Sequence, residues 1–155
     1  MYKFNASTLT LAATALIAAL SALPAESSAE ISAPAGTRTI FACQARGSTD
    51  IAMRSRYELR SGGRKKFTAE FEAHADPRFI AGGRLGVAVD GIRVGVVILD
   101  ALTGGGVIGD LNFDTQPQID AKPFPANFPA GVRGGSSVDF LRGTTLVLGC
   151  TLRRL

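Results

Sequence analysis

Residues 51–74, IAMRSRYELRSGGRKKFTAEFEAH, decide how this chain folds, because apolar and polar side chains alternate along both halves of the stretch. In the first half Met53, Tyr57 and Leu59 share one face, while Arg54, Arg56, Glu58 and Arg60 share the other. In the second half Phe67, Ala69, Phe71 and Ala73 oppose Lys66, Thr68, Glu70, Glu72 and His74. A period of two puts successive side chains on opposite faces of a strand, and SGGR at 61–64 supplies a reversal. The stretch therefore predicts an antiparallel hairpin with one face buried and one solvated.

The same period extends in both directions. TRTIFACQAR (37–46) reads as a first strand, with Phe41, Cys43 and Ala45 on one side and Ile40, Ala42 and Gln44 on the other. Beyond Asp76-Pro77 and Gly82-Gly83, the run RLGVAVDGIRVGVVILDA (84–101) places Asp90-Gly91 between two β-branched segments. That dipeptide suits a two-residue type I′ turn, whose two central positions both need positive φ. TGGGVIGDLNFDT (103–115) follows as a glycine-led strand, and SSVDFLR and TTLVLGCTLRR, reversing at Arg142-Gly143, close the chain. Between them, residues 116–131 carry four prolines and read as an ordered excursion, with Phe124 and Phe128 of KPFPANFPAG folding over the open end of the core. About eight short strands separated by turn signals predict an all-β fold, a single antiparallel β-sandwich or small closed barrel.

The N-terminal segment reads differently. Lys3, an apolar run from Leu9 to Leu23 and the small residues Ser27-Ser28-Ala29 form the pattern of a secretory signal peptide spanning 1–29, with cleavage after Ala29. Residues 30–36 are then a short lead and 37–155 the β-domain, roughly 125 residues in all for the mature chain, enough for one core. Lys3 and Glu26 leave together, so the formal charge of +4 is retained. The apolar run is too short to span a bilayer, and the absence of tryptophan argues against the aromatic girdles of a membrane barrel, so a protein that does not span the membrane after cleavage is expected. Cys43 and Cys150 are the only cysteines, far apart in sequence; in an oxidising compartment they read as one disulfide stapling the first strand to the last.

Chemistry is harder to find. His74 is the only histidine, the serines lie in turns without a GxSxG elbow, and the carboxylates stand beside basic residues, so no enzyme and no cofactor are expected. Asp110, Asn112 and Asp114 match the first three oxygen positions of a calcium loop, but position 6 is Thr115 and position 12 is Ala121, where glycine and glutamate belong. They read better as the polar edge of a strand, with a weak divalent-cation site as the alternative. Arg54, Arg56 and Arg60, with Arg64, Lys65 and Lys66, give the hairpin a basic outward face. Such a face can bind an anionic polymer, unless Glu58, Glu70 and Glu72 neutralise it through cross-strand pairs. Nucleic acid is a less natural partner for an exported chain than an anionic glycan or an envelope protein.

Three pieces, VAVDGIRVGVVILD, GGGVIGDLNFDT and PFPANFP followed by a short glycine-led strand, together resemble a recurring uncharacterised β-domain of exported bacterial proteins. The resemblance covers about Leu85 to the C-terminus and implies a fold and a periplasmic or secreted location, with no catalytic or ligand set attached. The expectation is thus a non-enzymatic binding or structural module of the cell envelope or extracellular space, with weak binding of a divalent cation or an anionic polymer as the alternative.

Overall fold

A computed structural model of the chain describes residues 36–47, 50–74 and 76–155. The expected signal peptide lies outside the described residues. Ten strands, joined by turns and one 3-10 turn at Ser61–Gly63, form two antiparallel sheets. The strands are β1 (Arg38–Arg46), β2 (Ile51–Arg60), β3 (Lys65–Ala73), β4 (Arg84–Val89), β5 (Ile92–Ile98), β6 (Asp100–Ala101), β7 (Val107–Asp114), β8 (Ser137–Arg142), β9 (Thr145–Thr151) and β10 (Arg153–Arg154). The larger sheet has the order β10-β1-β2-β3-β7-β6 and the smaller β5-β4-β8-β9. This is the expected sandwich. Among the described residues no helix is long and apolar enough to cross a membrane.

Register explains why the alternating segments work together. Phe41, Tyr57, Phe67 and Phe113 stand in one row across β1, β2, β3 and β7, and Ala45, Met53, Phe71 and Gly109 stand in another. All project inward, against Leu85, Val87, Val89, Val97, Val138 and Phe140 of the smaller sheet, most of them without solvent exposure. Ser55 is the polar residue in this inward set; its hydroxyl donates to the Thr68 carbonyl at 2.8 Å, which removes the cost of burying it. The buried rings of Tyr57, Phe67, Phe71, Phe79, Phe113 and Phe140 each touch another aromatic ring, which supplies buried area and aromatic packing together.

Two of the strands change sheets. β5 runs through Leu99 into β6, which pairs with β7, and β9 runs through Leu152 into β10, which pairs with β1. Both corner leucines are buried, and both have their main chain held by a glycine-containing loop. Leu99 exchanges hydrogen bonds with Gly82 and Gly83 at 2.7 and 2.8 Å, and Leu152 exchanges them with Gly135 and Ser136 at 2.8 Å each. Strands that bend from one sheet into the other are how such sandwiches turn their corners. At the first corner β5 and β7 also approach closely: a Cβ on Gly95 would lie 2.7 Å from Leu111, and one on Gly109 would lie 2.9 Å from Leu99.

The Asp90-Gly91 turn is as expected, with φ of 49° and 77°. The last reversal falls one residue later than predicted, at Gly143-Thr144. The proline-rich segment docks through Lys122, whose N–H donates to the Asn112 carbonyl and whose carbonyl accepts from Asp114, each at 2.9 Å. Phe124 and Phe128 then stack with Phe113, Phe67 and Tyr57 and cover that end of the core.

Cys43 on β1 and Cys150 on β9 form a disulfide beside the second corner, across a sequence separation of 107 residues. Closing a loop of that length restricts the unfolded chain, so reduction, or the paired change of both cysteines to alanine, should lower stability by on the order of 4 kcal/mol. Urea denaturation with and without reductant measures this directly; coincident curves would show that the bond contributes nothing.

Candidate functional site

The outer face of the larger sheet is a broad polar surface built on continuous strands. Its side chains form three rows in register. Arg153, Ala42, Arg56, Thr68 and Asn112 make the central row; Gln44, Arg54, Glu70 and Asp110 lie on one side, and Ile40, Glu58, Lys66 and Asp114 on the other. Because Ala42 and Thr68 are short and their neighbours long, the central row is a trough. It continues to the corner at Gly149 and Cys150 as a groove of about 980 Å³.

Glu58 lies in the next row, beside the groove and outside its lining. It is buried, and Arg38 donates to it through Nε at 3.0 Å and Nη2 at 2.5 Å, while Arg60 donates at 3.1 and 2.9 Å. Arg56 approaches differently: its Nε lies 2.7 Å from Glu58 Oε1 outside hydrogen-bonding geometry, and that buried nitrogen has no other partner. Burial pushes the Glu58 carboxyl up, but the hydrogen bonds from Arg38 and Arg60 and the charges of Arg38 and Arg56 outweigh it, holding the group at about 2 instead of 4.5.

Asp114 departs from its expected place. Its position on the outward face predicted a solvated edge, yet the side chain is 2% exposed. Arg64, fifty residues earlier, closes over it as a two-point fork at 3.0 and 2.7 Å; the Gln116 N–H donates at 2.9 Å, and Lys66 stands 3.7 Å away. The Arg64 hydrogen bonds, working against burial and helped by Gln116 and the charges of Arg64 and Lys66, lower this carboxyl to about 2.

The remaining predicted site residues can now be placed. Asp110 and Asn112 are neighbours on the outward face, with Asn112 Nδ2 donating to Asp110 Oδ2 at 2.6 Å, but Asp114 is turned to Arg64 and does not join them. Among the described residues no three His, Cys, Asp or Glu side chains are grouped to hold a metal ion. Arg54 pairs with Glu70 of the neighbouring strand at 2.5 Å, as anticipated for the basic face, whereas Arg60 pairs with Glu58 of its own strand at 2.9 Å. His74 meets Glu72 at 2.6 Å, outside the groove. Sequence reasoning missed Arg153, which reads as the tail of the last strand, and Ala42, whose importance is only that it is small. Neither a known family model nor a curated protein nor a solved structure matches this chain.

The carboxylates set the acid limit of the fold. Both Glu58 and Asp114 bind a proton more weakly in the folded chain than in the unfolded one. Their stabilisation is therefore complete above a pH of about 4.5 and is lost as pH falls toward 2. The denaturant midpoint should decline across that window. Glu58→Gln should flatten the decline and cost on the order of 2 to 3 kcal/mol at neutral pH, since it leaves three arginines facing a neutral amide. Chemical denaturation over a pH series checks both; a mutant profile parallel to the wild type would contradict the role given to Glu58.

Proposed function

We propose that this chain is an exported, non-enzymatic binding module that presents the outer groove of its six-stranded sheet to a partner in the cell envelope or extracellular space. The location rests on the signal-peptide pattern of residues 1–29 and on the resemblance to exported β-domains, and the disulfide is compatible with it. The binding role rests on a single observation, a groove of about 980 Å³ lined mostly by side chains on neighbouring strands of the larger sheet and closed at its corner by β9 of the smaller one. Side chains fixed by strand register lose little freedom when a partner docks, which favours recognition over a purely space-filling role.

A non-enzymatic reading is supported by how the groove's polar groups are occupied. Glu70 is held by Arg54 and Asp110 by Asn112, and the one histidine lies elsewhere, so no carboxylate or imidazole there stands poised beside a nucleophile.

Blocking the trough tests this without altering its charge. Ala42→Trp projects outward between Arg153 and Arg56 and should abolish capture of the envelope partner by the tagged mature protein at an unchanged thermal midpoint. Leu146→Ser, on the exposed edge strand of the other sheet, should leave capture intact. Equal capture by Ala42→Trp and wild type would remove the groove as the binding surface.

A further inference from the structure

We propose that the groove binds a carboxylate-bearing glycan and that the acid group is clamped between Arg153 and Arg56 across Ala42. This deepens the binding-module reading and rests on it.

The register brings the two arginines together. Ala42 pairs with Arg153 on one side and with Arg56 on the other, so both guanidinium stems rise from the same row with only a methyl group between them. Their Cα atoms are two strand spacings apart, roughly 9.5 Å, a gap that two arginine side chains are long enough to bridge around a bound carboxylate.

These two arginines also differ from their neighbours in what they touch. Arg38 and Arg60 donate to Glu58, Arg54 to Glu70 and Arg64 to Asp114. Among the described residues Arg153 makes no side-chain hydrogen bond or ion pair, and Arg56, although close to Glu58, makes no hydrogen bond and keeps a buried Nε unsatisfied. Two adjacent cations repel. One carboxylate placed over Ala42 relieves that repulsion, because the guanidinium fork matches it in a two-point geometry.

The rest of the groove selects the class of anion. Thr68, Asn112 and Gln44 offer neutral donors and acceptors, and Glu70 and Asp110 add acceptors that suit hydroxyl groups. A polyphosphate would bring further negative charge against those two carboxylates. Nucleic acid would find no aromatic side chain among the groove's described lining on which to stack a base. Spaced acid groups separated by hydroxyls, as in a uronic-acid polymer, match both sets.

Polygalacturonate and its fully methyl-esterified form are suitable probes for the mature protein, with binding followed by calorimetry at low salt. The acid polymer should bind and the ester should not. Arg153→Gln and Arg56→Gln should each weaken binding by at least about tenfold, or ~1.4 kcal/mol. Arg84→Gln, on the other sheet, should not. Among the described residues Arg153→Gln removes no side-chain hydrogen bond or ion pair, so an unchanged thermal midpoint is expected and any loss of binding belongs to the site. Wild-type affinity in Arg153→Gln, equal binding of the ester, or an equal loss in Arg84→Gln overturns the clamp. If the acid polymer does not bind while Ala42→Trp still abolishes capture of the envelope partner, the glycan inference fails and the groove stands. If Ala42→Trp captures normally as well, both fail.

Discussion

Two leucines hold this sandwich together at its corners. Leu99 and Leu152 are buried where β5 and β9 leave the smaller sheet, and each is fixed by a pair of main-chain hydrogen bonds to a loop opposite. A sandwich whose sheets are joined only by side-chain packing can shear, since hydrophobic contact has no direction. Here two chains cross from one sheet to the other as continuous backbone, and the disulfide lies beside the second crossing. The sheets are thereby fixed in register with each other, and the curvature of the outer face is fixed with them.

That face shows how one row of short side chains can make a surface concave. Along the central row Ala42 and Thr68 leave the backbone of β1 and β3 open, while the row of Gln44, Arg54, Glu70 and Asp110 is raised on one side by the Arg54–Glu70 pair. In the row beyond the groove, Glu58 draws three arginines to one buried point, and the Arg64 fork on Asp114 ties the loop after β2 to the end of β7. Exposed ion pairs contribute little to stability singly, but the carboxylates of these two clusters are withdrawn from solvent and depend on their partners.

Much of the architecture was legible because most strands state their inward face without contradiction. β2, β3 and β7 alternate cleanly, and Asp90-Gly91 specifies its turn by backbone conformation alone. The corners were not legible. Leu99 and Leu152 look like any apolar residue in a β-branched run, and the two-residue strands β6 and β10 are too short to carry a period, so about eight strands were expected where ten occur. The fate of Asp114 was hidden for another reason: its position in β7 places it on the outward face, but Arg64 covers it, and that contact spans fifty residues. Arg54 and Arg60 were recognised as part of a basic face with acidic neighbours, whereas Arg153 becomes a neighbour of Arg56 only once β10 has docked on β1.

The placement of the first and last strands has a consequence for synthesis. β1 needs β10 as its outer neighbour, Cys43 needs Cys150, and β9 reaches its sheet only beside β8. A growing or emerging chain can therefore assemble the β1-β2-β3 meander early but cannot close the Cys43–Cys150 ring or finish the sheet until Cys150 and then Arg153–Arg154 are free. Non-local closure of this kind is slow compared with hairpin formation. Completion of the fold is thus coupled to the release of β9 and β10, and a polypeptide cut short before residue 150 keeps an unpaired thiol at position 43 and an open edge on β1.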